Sequence, residues 1–143
     1  MSDPDATART LRIRALNDAD RAALPHGFAS CLITRGVQAL PPEQVTQILE
    51  EVRRYANFTQ GDDPYGEHDF GVLTRVERGG TITWTQEPQP DTKDGLGAEK
   101  IFWKIDYYAK AQDGVPGLTY GSETPEDGRT TDRVLTIYLA SEH

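Results

Sequence analysis

The sequence predicts an α+β fold, an antiparallel sheet of four to five strands with two helices packed on one face. Three observations predict it. Apolar residues recur at helical spacing in the first 56 residues and not afterwards. From residue 68 onward the pattern changes to period two. The later strands follow one another through turns without intervening helices, an order that suits segregated helices and strands and not a doubly wound parallel sheet. Length agrees, because 143 residues form one domain. A compact chain of this size buries roughly 68–70% of its unfolded surface. The expected organisation is a flexible N-terminus over residues 1–8 and a single domain over 9–143.

The elements are read in order. Helix formers predict a helix over residues 5–23, with Leu11, Ala15, Ala19, Ala22 and Ala23 along one stripe and Pro25 and Gly27 beyond its end. Residues 28–34 are apolar and partly β-branched and predict a strand, with Cys31 as a small core residue. Gly36 reads as punctuation. Pro41-Pro42 then opens a second helix, residues 42–56, whose Val45, Ile48, Leu49 and Val52 fall on one face. Gln44, Gln47, Glu50, Glu51 and Arg54 fall on the other. Residues 68–77 predict a strand with Phe70, Val72 and Val76 on one face. Gly79-Gly80 turns the chain into another strand, 81–85. Residues 87–99 hold Pro and Gly without periodicity and predict an exposed loop. Residues 101–108 are the strongest strand, with Ile101, Trp103, Ile105 and Tyr107 on one face and Phe102, Lys104, Asp106 and Tyr108 on the other. A second loop spans 110–131, and residues 133–140 predict the last strand.

Composition narrows the function. The formal net charge is −8, and it is uneven. Residues 1–54 hold seven basic and seven acidic side chains, while residues 55–143 hold eight basic and sixteen acidic. The excess gathers in two stretches, 61–69 and 122–132, that read as loops. Direct nucleic-acid binding is not expected, because phosphate contacts need clustered Lys and Arg. No apolar run exceeds four residues, so no membrane span or secretory leader is expected. The lone Cys31 allows no internal disulfide, which fits a cytoplasmic location.

Two constellations could carry chemistry. In Gly66-Glu67-His68-Asp69-Phe70-Gly71 two carboxylates flank an imidazole. A carboxylate beside His fixes one tautomer, as a general base requires. The same stretch offers Asp62, Asp63, His68 and Asp69 as candidate ligands for a divalent metal. Neighbours on a strand point to opposite faces, so His68 does not converge with both Glu67 and Asp69. The competing structural reading is that Asp69 turns the chain and His68 makes one buried hydrogen bond. Lys104 and Asp106, two apart on a strand, are the second set. A catalytic use requires Asp69, Lys104 and Asp106 to converge, whereas a cross-strand ion pair requires nothing further.

The segments 66–71 (GEHDFG), 103–108 (WKIDYY) and 133–137 (RVLTI), with Leu16-Asn17-Asp18 and Thr34-Arg35-Gly36-Val37 upstream, resemble a family of small uncharacterised bacterial proteins, a domain of unknown function. The resemblance covers most of residues 10–142. It implies an alphaproteobacterial origin and an association with plasmids or other mobile elements, and it assigns no catalytic or binding residue. Residues 77–99 are longer here than the short hairpin that the resemblance implies.

Two functions from different classes follow. The first is a small acidic cytoplasmic protein-interaction or inhibitor-type accessory protein, without cofactor, whose protein partner is basic where it meets the acidic loops. The alternative is a small hydrolase or metal-binding enzyme that uses Glu67, His68 and Asp69 with Lys104 and Asp106.

Overall fold

The computed structural model describes residues 4–89 and 99–143. Its elements are α1 (Pro4–Ala22), β1 (Ser30–Ile33), α2 (Arg35–Gln38), α3 (Pro42–Arg53), β2 (Phe70–Arg78), β3 (Thr81–Thr85), β4 (Lys100–Ala109) and β5 (Thr131–Leu139), with a 3-10 turn at Ala140–Glu142. The fold is α+β, as expected. The five strands form one sheet in the order β1-β5-β4-β2-β3. The pairs β2–β3, β2–β4 and β4–β5 are antiparallel. Strand β1 pairs with the last strand and runs parallel to it, Ser30 opposite Val134 and Ile33 opposite Ile137, which makes the sheet mixed. Among the described residues no helix is long and apolar enough to cross a membrane. Residues 90–98 of the expected 87–99 loop lie outside the described residues, as do residues 1–3 of the expected flexible N-terminus.

The core lies between the helices and one sheet face. Ile101, Trp103 and Ile105 of β4, Leu135 and Ile137 of β5 and Leu73 of β2 meet Ile48, Val52 and Tyr55 from α3 and its C-terminal end. Strand alternation selects these residues, since i, i+2 and i+4 share a face. The polar side of α3 is also used. Gln47 Oε1 accepts the Trp84 backbone N–H at 2.9 Å, and Gln44 Oε1 accepts the Trp84 indole N–H at 2.9 Å. The outer edge of β3 is thus partly capped by side chains, which removes a free donor from an edge strand.

Two expectations about inward residues are corrected. On α1 the residues that turn inward are Ile13, Asn17 and Arg21, while Leu11 of the expected apolar stripe is 51% exposed. The inward row has the i, i+4, i+8 spacing of one helix face, but two of its members are polar because they pack on a polar network. Cys31 is exposed on the edge strand β1 and is not a core residue. Phe70, Val72 and Val76 share a face as expected, and it is the sheet face away from the core, since Leu73 is the core residue of β2. On that outer face Phe102 packs against Phe70 in a tilted arrangement and against Tyr138 in a T-shaped one, at centroid distances of 5.5 and 5.7 Å. Gly36 lies inside the short helix α2. Glu142 closes that helix, accepting from Thr34 Oγ1 at 2.6 Å, the Leu139 N–H at 2.9 Å and the Gly36 N–H at 3.1 Å.

Candidate functional site

The 66–71 motif is shaped by the turn before it. Asp63 N–H bonds the Thr59 carbonyl at 2.7 Å, and Gly66 N–H bonds the Asp63 carbonyl at 3.1 Å. The Asp63 carboxylate then accepts the backbone N–H groups of Glu67 at 3.0 Å and of His68 at 3.2 Å. This bend holds Gly66 at φ 71° and His68 at φ 58°. A left-handed backbone costs a non-glycine residue roughly 1–2 kcal/mol, so the Asp63 bonds are what sustain it. The bend also separates the side chains of the motif into two groups.

His68 faces α1. Its Nδ1 lies 2.9 Å from Asp18 Oδ1 and 3.2 Å from Asp18 Oδ2. An ionised carboxylate only accepts, so Nδ1 is the donor, and in the neutral tautomer Nε2 is the acceptor. Among the described residues Nε2 has no hydrogen-bond partner. The ring is fixed from the side by Phe58, stacked at 3.8 Å with 2° between the planes. Arg21 fixes Asp18 in turn, with Nη2 2.5 Å from Oδ1. Its Nη1 donates to the Val52 and Tyr55 carbonyls at the C-terminal end of α3, at 3.2 and 3.1 Å. The Arg21 guanidinium carbon sits 5.2 Å from the Phe58 ring centre and 5.1 Å from that of Trp103. Burial lowers the Arg21 pKa, and Asp18 opposes that shift. The imidazole opens on a cleft of about 480 Å³ that Asp18, Arg21, Arg53, Arg54 and Phe58 also line.

Glu67 and Asp69 face a second, buried cluster. Asp69 Oδ2 accepts from the Tyr107 hydroxyl at 3.1 Å, and the Tyr107 hydroxyl oxygen accepts from Asn17 Nδ2 at 2.8 Å. Asn17 Nδ2 also reaches the Glu67 carbonyl at 3.0 Å, while Asn17 Oδ1 accepts Arg133 Nε at 2.7 Å. Arg133 Nη2 donates to the Pro125 carbonyl. The carboxyl groups of Glu67 and Asp69 lie close enough to influence each other's ionisation. Both have raised pKa values, first because burial disfavours their charge; the Asp69 charge adds to the shift of Glu67, while the Tyr107 hydrogen bond opposes that of Asp69. Burial, with the Asp69 charge behind it, pushes the Tyr107 hydroxyl well above its ordinary range.

The sequence candidates therefore divide. Glu67 and Asp69 come together, and His68 stands apart from both. Lys104 and Asp106 do not join them. They pair with each other at 3.3 Å on the outer sheet face, while Asp69 shares the helix-side face with Ile105 and Tyr107. Asp62 is exposed and Asp63 is buried, its carboxylate held by backbone donors. Among the described residues no group of three or more His, Cys, Asp or Glu is arranged to hold a metal ion. Both acidic stretches border α1. Arg9 pairs with Glu126 at 3.0 Å, and Arg14 donates to the Gly66 carbonyl at 2.6 Å.

Sequence reasoning did not pick out Asp18, Arg21, Phe58, Tyr107 or Arg133 as site residues. The available signal was Asn17 and Arg21 at the same helical spacing as Ile13, which marks a polar face that is buried.

Comparison with the curated proteins and with the solved structures finds no match. Among protein families, residues 33–142 match the one described as "Protein of unknown function (DUF3768)". The matched span carries His68, Glu67, Asp69, Tyr107 and Arg133, and it leaves α1 with Asn17 and Asp18 outside. The chain belongs to the DUF3768 family, a family of unknown function, and completes the His68 site with a helix from beyond the matched span.

Proposed function

We propose that the chain is a small hydrolase whose general base is His68. One observation carries this reading: Asp18 holds Nδ1 of an imidazole whose Nε2 is unpartnered at a cleft. A base oriented through one ring nitrogen and open at the other is the arrangement that proton abstraction from water needs. In the step, Nε2 takes a proton from water as the water oxygen bonds to the electrophilic centre of the substrate. The imidazolium then returns that proton to the leaving oxygen. Asp18 is the positioning residue, and its charge favours the transient imidazolium. The left-handed backbone at His68 supports the reading, since such conformations gather at functional sites. The acidic-interaction reading has less behind it. Within the two acidic stretches Glu126, Asp127 and Asp132 are paired with Arg9, Arg129 and Lys110, and Asp63 is held by the backbone at 67–68.

The test is turnover of p-nitrophenyl carboxylate, phosphate monoester and phosphate diester substrates by the full chain. At least one should be hydrolysed, with His68→Gln lowering kcat by about 100-fold or more. Asp18→Asn should lower kcat by roughly tenfold or more with KM little changed. Absence of turnover, or turnover that His68→Gln leaves intact, would reject the reading.

A further inference from the structure

This inference rests on the hydrolase reading and deepens it to a substrate class. We propose that the cleft binds a small molecule carrying a phosphoryl group, with Arg53 and Arg54 holding its oxygens beside His68. The chain as a whole is acidic, yet the groups lining this cleft are three guanidiniums and an imidazole against one carboxylate, Asp18. Arg21 is not available to a ligand. It is 3% exposed, its Nη1 and Nη2 donate to Val52, Tyr55 and Asp18, and its Nε is buried away from solvent without a partner.

Arg53 and Arg54 differ from it. They are the last residue and the C-cap of α3, and both are exposed. Their protein partners are Glu50 and Glu51, at 2.5 and 2.6 Å, one turn back on the same helix. The Arg53–Glu50 pair is exposed on both sides and holds weakly, while Glu51 is buried and only the Arg54 end of its pair is exposed. Each guanidinium has five N–H donors. Glu50 takes donors from Nε and Nη2 of Arg53, and Glu51 takes one from Nη2 of Arg54, so donors remain on both.

A helix C-terminus favours cations, which accounts for basic residues at this place. It does not account for their lining the same cleft as an imidazole nitrogen without a partner. Two planar forks suit a phosphoryl group, whose three oxygens can serve both, better than a carboxylate, whose two oxygens one fork satisfies. The cleft volume of about 480 Å³ suits a small molecule. The negative charge over the rest of the surface disfavours a long polyanion.

The experiment titrates inorganic phosphate into the full chain and follows the His68 ring resonances by NMR, with sodium acetate and sodium chloride at matched ionic strength as comparisons. Phosphate should give a saturable shift that acetate and chloride do not. Arg53→Ala with Arg54→Ala should weaken it by about tenfold or more. The paired lysine variant should recover part of the loss, because it restores charge without the fork. Melting temperatures of all variants check the fold. His68→Gln should still bind phosphate, followed by calorimetry; a parent chain that binds phosphate but turns over none of the substrates sinks the hydrolase reading and leaves the phosphoryl site standing. No saturable shift, an equal shift with acetate, or full binding by a folded alanine pair would overturn the proposal.

Discussion

Gly71 of β2 lies directly opposite Trp103 of β4, and a Cβ at position 71 would stand 2.3 Å from the indole Nε1. Trp103 is fully buried, so the ring has nowhere to retreat. The glycine that ends the 66–71 motif is therefore a space requirement of the core. Gly71→Ala is expected to destabilise the fold by about 1–3 kcal/mol, the usual cost of overpacking. Urea unfolding followed by tryptophan fluorescence measures it, and an unchanged midpoint would show that the sheet absorbs the methyl group.

That glycine illustrates what the sequence could and could not tell. The motif was visible as a motif, but the reason for Gly71 is a contact across two strands, which no local spacing encodes. Strand β4 was legible because Ile101, Trp103, Ile105 and Tyr107 alternate, and α3 because Val45, Ile48, Leu49 and Val52 recur at helical spacing. The inward face of α1 was not. Apolar periodicity scores Leu11 and the alanines, whereas the face that turns inward carries Asn17 and Arg21. Asp18 and His68 are fifty residues apart and meet only because Arg14 and Asn17 bind α1 to the backbone of Gly66 and Glu67.

Asn17 is the joint of that assembly, with 0% of its surface exposed. Its amide donates to the Glu67 carbonyl and the Tyr107 hydroxyl, and its oxygen accepts from Arg133. Asn17→Ala leaves a guanidinium donor and a carbonyl without those partners. Each buried group so stranded costs about 1–3 kcal/mol, so the total loss should reach about 3 kcal/mol or more. Asn17→Asp keeps the acceptor for Arg133 but loses the amide donors and adds charge near Glu67 and Asp69, so it should not rescue. Thermal melts of the two variants decide this. A melt within a degree or two of the parent for Asn17→Ala would mean that α1 docks without the network.

The Glu67–Asp69 pair sets a pH dependence. Both carboxyl groups have raised pKa values in the folded chain, mainly through burial, with the Asp63 charge contributing to each. The folded state therefore holds more protons than the unfolded one between the ordinary carboxyl range and the raised values. Stability from this pair is greatest at low pH and is lost as pH rises through the raised values. Glu67→Gln removes one of the two titrating carboxyl groups and puts a neutral amide beside Asp69 at every pH. The variant should be more stable than the parent by about 1 kcal/mol at pH 7.5, with the gain shrinking toward pH 4.5. Denaturant midpoints across that range test it, and a parallel pair of profiles would show that the two carboxyl groups are not linked to folding.

Cys31 offers a test of the β1 edge. The residue is exposed, but its side of the strand borders an apolar groove of about 440 Å³ with Leu24, Pro25, Ile33 and Leu49. Burial raises the pKa of the thiol. Only the thiolate attacks a disulfide reagent, so accessibility and reactivity part company here. The folded chain at pH 7.5 should react with a chromogenic aromatic disulfide several-fold more slowly than the urea-unfolded chain, on the order of three- to tenfold. The folded rate should go on rising with pH after the unfolded rate has levelled off. Equal rates at pH 7.5 would place the sulfur in open solvent and detach Cys31 from the groove.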